Sequence, residues 1–404
     1  MTQARPGRSG SERGSTFGTR GEWAIYAGGF LGPLGGSVVT SMLPEIAESF
    51  RTGVDVVGLS ISTFLLPFAV VMLLAGRLTD RWGAERTLVG GYVVYAVTCI
   101  ACVVVPHVVP FLAARAMQGV ANAFITPVLI AVLATRAAPG RIGRSLGLFG
   151  SVQALGQAAA PAVGGVAADA DWRLAFLLIS AASCALAILA TRLFRAQRRD
   201  APREVGALAD PTPAPPQRGA LVAAATVAAL AYATFIGLVV MGALLASDRF
   251  GASPSLRGLV VATMGLAGLA VGLPAGRLLD RIGPVRAGAL AACLLSCAAV
   301  VGACSQHLLV LAGAMAVAGL GGTGIKATTS VLAIRAAGPR RAGATSFVLG
   351  CQFLGGAIAP VFWLPLYQAA PTAAMALCAS GSAAAGVVLV VSRSRRTAPA
   401  VAVP

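Results

Sequence analysis

Lys326 is the only lysine in a chain of 404 residues, and it stands inside a long apolar run. Arg115 stands inside another. A cation at the centre of a bilayer costs at least about 2.5–3.5 kcal/mol, so its first reading is functional. An ammonium in such a place can bind an anionic group or carry a proton. Its competing structural use is to snorkel toward the nearer surface. For Arg115, hydrogen bonding to carbonyls of neighbouring helices stands beside a transport role. All 14 acidic residues fall in tails, loops or the ends of apolar runs. A carboxylate at mid-depth, the usual partner of a cationic ligand, is therefore not expected.

A second constellation is conformational. Gly76-Arg77-Leu78-Thr79-Asp80-Arg81-Trp82-Gly83 returns as Gly276-Arg277-Leu278-Leu279-Asp280-Arg281-Ile282-Gly283, identical at six of eight positions. Glycine permits a tight turn and close helix approach. The aspartate can accept hydrogen bonds at a neighbouring helix N-terminus, where the dipole favours a carboxylate. A topogenic turn needs only basic residues, so Gly76, Asp80, Arg81, Gly83 and their copies Gly276, Asp280, Arg281, Gly283 read as a conformational gate. Pro161 and Pro360 each remove a backbone donor inside an apolar run. With Gly156, Gly164, Gly165 and Gly355 they read as hinge or close-packing positions. No hydrolytic, redox or phosphate-cradling arrangement is present, so neither an enzyme nor a bound cofactor is expected. Cys99-x-x-Cys102 lacks a second pair, and His107 and His307 lack a third ligand nearby, so no metal is expected.

These residues need elements to hold them. The chain is 57% hydrophobic and 11% charged, with mean hydropathy +0.82. Soluble domains carry about 25% charged residues. Its apolar runs reach the ~20 residues that cross a bilayer. Twelve spans are expected, at 23–43, 54–75, 88–106, 109–134, 145–167, 174–194, 219–247, 256–275, 288–305, 308–334, 343–367 and 370–392. The net charge of +17 comes from basic residues concentrated in alternate polar stretches. That alternation places both termini and the central linker in the cytoplasm of a multi-pass protein of the cytoplasmic (inner) membrane, and argues against nucleic acid as a partner. The first 20 residues lack an apolar h-region and read as a disordered cytoplasmic tail rather than a signal peptide. The expected order is tail 1–20, six-helix bundle 21–194, linker 195–218, six-helix bundle 219–392 and tail 393–404.

The 200-residue offset extends beyond the loops. Phe50 pairs with Phe250, Gly58 with Gly258, His107 with His307, Gly119 with Gly319, Pro139 with Pro339 and Arg141 with Arg341. After a one-residue slip, Gln153 to Gly156 aligns with Gln352 to Gly355 and Pro161 with Pro360. Two similar halves in an all-α membrane chain are the architecture of a secondary transporter.

At this point the chain resembles the major facilitator superfamily. The resemblance rests on Gly76, Asp80, Arg81 and Gly83; on Arg115-Ala116-Met117-Gln118-Gly119; and on Gly156 to Gly165, which is similar to a signature of the drug:proton antiporter branch. Leu43-Pro44-Glu45-Ile46-Ala47 and Trp172-Arg173 also look family-like. The resemblance implies twelve transmembrane helices in two pseudo-symmetric six-helix bundles around a central cavity, alternating access, and a lock at Asp80 that closes the cytoplasmic side in the outward-facing state. Two positions depart from the pattern: Glu85 where the family carries a basic residue, and Ala160 where it carries glycine.

Cavity candidates are Tyr26, Arg115, Gln118, Asn122, Thr126, Gln153, Gln157, Tyr232, Thr234, Thr323, Lys326 and Gln352, the few polar groups that orient a ligand in an apolar pocket. The expected substrate is a small neutral or anionic amphipathic molecule, exported by proton antiport from a monomer embedded in the bilayer. Proton-coupled uptake of a small organic anion or nutrient is the first alternative. A non-transporting receptor or partner protein on the same scaffold is the second.

Overall fold

Inside a bilayer no water satisfies backbone N–H and C=O groups, so an apolar run must close its hydrogen bonds within itself as a helix. The computed structural model describes residues 17–136, 142–197, 217–336 and 341–397, and all regular structure among them is helical. The first half comprises α1 (Phe17–Ser37), a 3-10 turn (Val38–Ser41), α2 (Leu43–Phe50), α3 (Val54–Trp82), α4 (Ala84–Val104), α5 (Val108–Arg136), α6 (Ile142–Ala168) and α7 (Arg173–Gln197). The second comprises α8 (Arg218–Phe250), α9 (Pro254–Ile282), α10 (Pro284–Ala303), α11 (Leu308–Ala336), α12 (Arg341–Ala369), α13 (Pro371–Leu377) and α14 (Ala379–Thr397).

Among the described residues ten segments are long and apolar enough to cross a membrane, the tenth joining α13 and α14. Helices α1 and α6 complete the twelve. They are less apolar because α1 carries seven glycines and Pro33, and α6 carries Ser151, Gln153 and Gln157. Eight of the twelve expected spans lie within a single helix; 23–43 runs through α1 and the 3-10 turn to the start of α2, 370–392 covers α13 and most of α14, and 88–106 and 288–305 overrun the ends of α4 and α10 by two residues each. Helix α1 begins at Phe17, inside the expected tail of 1–20, and α14 ends at Thr397, past the expected boundary at 392. Most of the proposed linker and both distal tails lie outside the described residues, as do Pro139, Arg141 and Pro339.

The repeat is physical. A Cβ on Gly119 would run into the carbonyl of Phe64, and one on Gly319 into the carbonyl of Met264, the same pair shifted by 200. Gly156 approaches the Phe30 carbonyl as Gly355 approaches that of Ala229, the same pair shifted by 199. The halves meet along two related seams, α6 on α9 and α3 on α12. The paired charged loops, Arg192, Arg195, Arg218, Arg286 and Arg335 all lie toward one end, called here the basic end.

Candidate functional site

Between the halves lies a cavity of about 580 Å³. Helices α1, α3, α5 and α6 line one side, and α8, α9, α11 and α12 the other. Among the described residues Lys326 is its only charged lining residue, and no aspartate or glutamate lines it. The Lys326 side chain is exposed to the cavity, and its ammonium has no hydrogen-bond or ion-pair partner among the described residues. Asn122, Gln153, Gln157, Tyr232, Thr323 and Gln352 also line the space. The amide of Gln157 donates to the Tyr232 hydroxyl across the halves at 3.5 Å, and Asn122 Oδ1 is buried without a partner.

The sequence reading did not anticipate an aromatic wall. Phe64 stacks on Phe68, Phe68 meets Phe353 edge-on at 4.7 Å, Phe353 meets Tyr232 at 5.5 Å, and Tyr232 stacks on Phe235. The chain of rings crosses from one half to the other. The i,i+4 spacing of Phe64 and Phe68 and the i,i+3 spacing of Tyr232 and Phe235 are its only sequence traces.

Five candidates do not line the cavity. Arg115 is fully buried, and its guanidinium donates to the carbonyls of Gly35 (3.1 Å) and Gly36 (3.0 Å) and to Gln118 Oε1 (2.6 Å). Helix α1 ends at Ser37, so these carbonyls belong to its last turn and lack an α-helical partner. Rings of Phe64 and Phe176 flank the guanidinium at 4.7 and 6.0 Å. Gln118 turns its amide to Cys99 and Cys102, which accounts for that cysteine pair in packing terms. In the other half Met315 fills the corresponding place, buried against Gly242 of α8. Thr234 is buried and donates to the Cys378 carbonyl. Tyr26 and Thr126 are half-buried away from the lining. Among the described residues no three metal-ligating side chains gather.

At the end opposite the basic end the halves are shut. Gly165 lies against the carbonyl of Pro254, and Gly258 against that of Pro161; neither leaves room for a Cβ. Arg257, near the start of α9, is buried here at 3% exposure. It pairs with Glu45 of α2 and donates to the Ser41 carbonyl at 2.9 Å and the Ser247 hydroxyl at 3.2 Å. Ser41 in turn donates to the Pro161 carbonyl at 2.7 Å, and Asp169 accepts from the Ser255 backbone N–H at 3.3 Å. The expected hinge residues Gly156, Pro161, Gly164 and Gly165 thus sit in tight helix contacts, and Gly165 belongs to this inter-half closure. Gly355 packs against the Ala229 carbonyl within the second half, and Pro360 is buried.

Toward the basic end the α6–α9 seam parts. It is tight at Ala158 and Gly265, but a Cβ on Gly150, Gly147, Gly272 or Gly276 would meet nothing within 4 Å. The paired loops reach this open end. Gly83 and Gly283 have φ of +84° and +81°, so glycine is required there by the turn into α4 and α10. A Cβ on Gly76 would meet nothing within 4 Å, so close approach is not its role in this arrangement. Asp80 and Asp280 are exposed and have no partner among the described residues.

The family model of the Major Facilitator Superfamily matches residues 25–245 and again 221–403, once for each half. The chain belongs to the major facilitator superfamily. Relatives within this superfamily include a multidrug resistance protein B homolog of Mycobacterium tuberculosis, 29% identical over 163 residues, covering 40% of this chain and 30% of that protein. The drug efflux pump JefA of the same organism is 31% identical over 144 residues, covering 35% of this chain and 28% of JefA. Each alignment spans less than a third of its relative's length. Among solved structures, the nucleoside transporter NupG superposes with TM-score 0.76 at 13% identity, over 92% of this chain and 99% of that one. An inward-facing bacterial homologue of the human lysosomal transporter Spinster gives 0.71 at 16%, over 95% and 96%. At such identities these likenesses show the fold alone. The chain is thus a multi-pass integral membrane protein of that superfamily.

Proposed function

We propose that this facilitator exports a small neutral or anionic amphipathic compound by proton antiport, through alternating access about the central cavity. The observation that carries the reading is the cavity's composition: one ammonium, several amides and hydroxyls, an aromatic wall and no carboxylate. A cationic drug would be repelled by Lys326 and find no counter-ion. An acidic amphipath gains a charge-assisted hydrogen bond and stacks its apolar body on the rings. The names of the multidrug resistance and efflux relatives support export.

On this reading the basic end faces the cytoplasm, as the positive-inside rule has it. The arrangement is then inward-open, sealed outside by Arg257 and Glu45. The Asp80 and Asp280 loops are released, and engage their helix termini when the cytoplasmic side closes. The coupled proton is carried by Lys326, by a gate or span-end carboxylate such as Asp80, Asp55 or Asp169, or by the substrate's own acidic group.

Deleting the gene and scanning toxic acidic, neutral and cationic compounds tests the proposal. Increased sensitivity to acidic or neutral amphipaths is expected. Loss of growth on one carbon or nitrogen source, with resistance unchanged, would instead favour uptake of an organic anion or nutrient, which Lys326 would serve equally well.

A further inference from the structure

The second half carries a groove where the equivalent place in the first half is occupied by aromatic rings. It lies between α9, α10 and α11 on the flank of the bundle near the basic end, with a volume of about 490 Å³. Leu278, Leu290, Leu294 and Leu320 line it, and Arg277 and Arg281 stand at its polar end. These arginines are one helical turn apart on the same face. Both are exposed, and neither has a hydrogen-bond or ion-pair partner among the described residues. Asp280 on the same turn is also exposed, and the turn remains net positive.

The other half shows why this groove is open. Position 324 is glycine where position 124 is phenylalanine, and position 282 is isoleucine where position 82 is tryptophan. The rings of Phe124 and Trp82 pack together at 5.6 Å between α3 and α5. Gly324, with no side chain, lines the groove instead. Arg77 and Arg81 therefore keep the charge of the paired loop beside filled space, while Arg277 and Arg281 keep it beside an apolar channel.

We propose that this groove binds an anionic phospholipid, its phosphate on Arg277 and Arg281 and an acyl chain along the leucines. Any apolar flank of a membrane protein meets lipid. Here two unpaired guanidinium groups adjoin the channel at the end where headgroups lie. Guanidinium forks suit phosphate oxygens bidentately. A zwitterionic headgroup brings its own cation, which the two arginines oppose.

The test is native mass spectrometry of the purified full chain, titrated with phosphatidylglycerol or phosphatidylcholine. The first phosphatidylglycerol should bind at least about tenfold more tightly than phosphatidylcholine. Arg277→Gln/Arg281→Gln should weaken it roughly tenfold to thirtyfold, as expected for two basic contacts at a membrane surface. Arg77→Gln/Arg81→Gln should leave it within about twofold, because there the channel is filled. Leu290→Trp, which obstructs the groove and keeps both arginines, should weaken it about tenfold. Equal binding of the two lipids would overturn the proposal. So would equal losses from the two double variants, which would mean diffuse charge attraction, or full retention in Leu290→Trp.

Discussion

Lys326 and Arg115 are both cations within membrane helices, yet their surroundings give them different work. Arg115 spends its donors on the exposed carbonyls at the end of α1 and on Gln118. The corresponding Met315 fills space without charge, so Arg115 acts as a brace. Arg115→Met should lower stability by about 1–3 kcal/mol through the lost charged hydrogen bonds, measured as a fall in Tm, with substrate preference unchanged. Lys326 has its ammonium free in the cavity. Lys326→Gln should raise KM for acidic substrates roughly tenfold or more, leave neutral ones nearly unaffected, and preserve Tm; transport assays across both classes check this. The sequence made Lys326 legible because a solitary lysine in an apolar run has few explanations. It left Arg115 undecided, because brace and ligand both need a buried cation. Arg257 was missed for a related reason. It lies three residues after the helix start at Pro254, so it reads as a loop cation; its burial arises only when α2, 212 positions away, folds over it.

At the scale of elements, closure depends on α6, α9 and the turn between α1 and α3. Breaking a buried ion pair by removing one partner costs about 3–5 kcal/mol. Two conformations separated by a few kcal/mol would be rebalanced by that amount. Arg257→Gln should therefore shift the population away from the arrangement described. Spin labels across the Gly165–Pro254 end should report longer distances, and labels across Gly150–Gly272 shorter ones. Gly165→Val forces the same seam apart by bulk, so transport should fall at least about tenfold while the protein still folds and inserts. The glycines were legible as small residues in apolar runs. Which of them join halves and which pack within one was not, because that depends on inter-half contacts rather than on helical spacing. The charged loops were legible down to Gly83 and Gly283, whose positive φ explains why the sequence keeps glycine there.

Over the whole molecule, the duplicated sequence corresponds to duplicated packing, as the Gly119–Phe64 and Gly319–Met264 contacts show. The cavity departs from this symmetry, since Lys326 faces Thr126 across the repeat and the aromatic wall draws unequally on the two halves. On the proposed function the paired frame is the part that moves, and the unpaired residues at its centre are the part that selects. Hydrophobic periodicity and charge alternation carry the frame, so twelve helices in two bundles could be read from the chain. Side chains meeting across the halves carry the cavity, and no local pattern encodes those meetings. The central claim is tested most directly in proteoliposomes under an imposed pH gradient, using matched acidic, neutral and cationic fluorescent amphipaths. The account expects acidic or neutral compounds to move against the proton flux, with acidic transport lost selectively in Lys326→Gln and the cationic compound left behind. Transport of the cationic compound alone, or acidic transport untouched by Lys326→Gln, would contradict it.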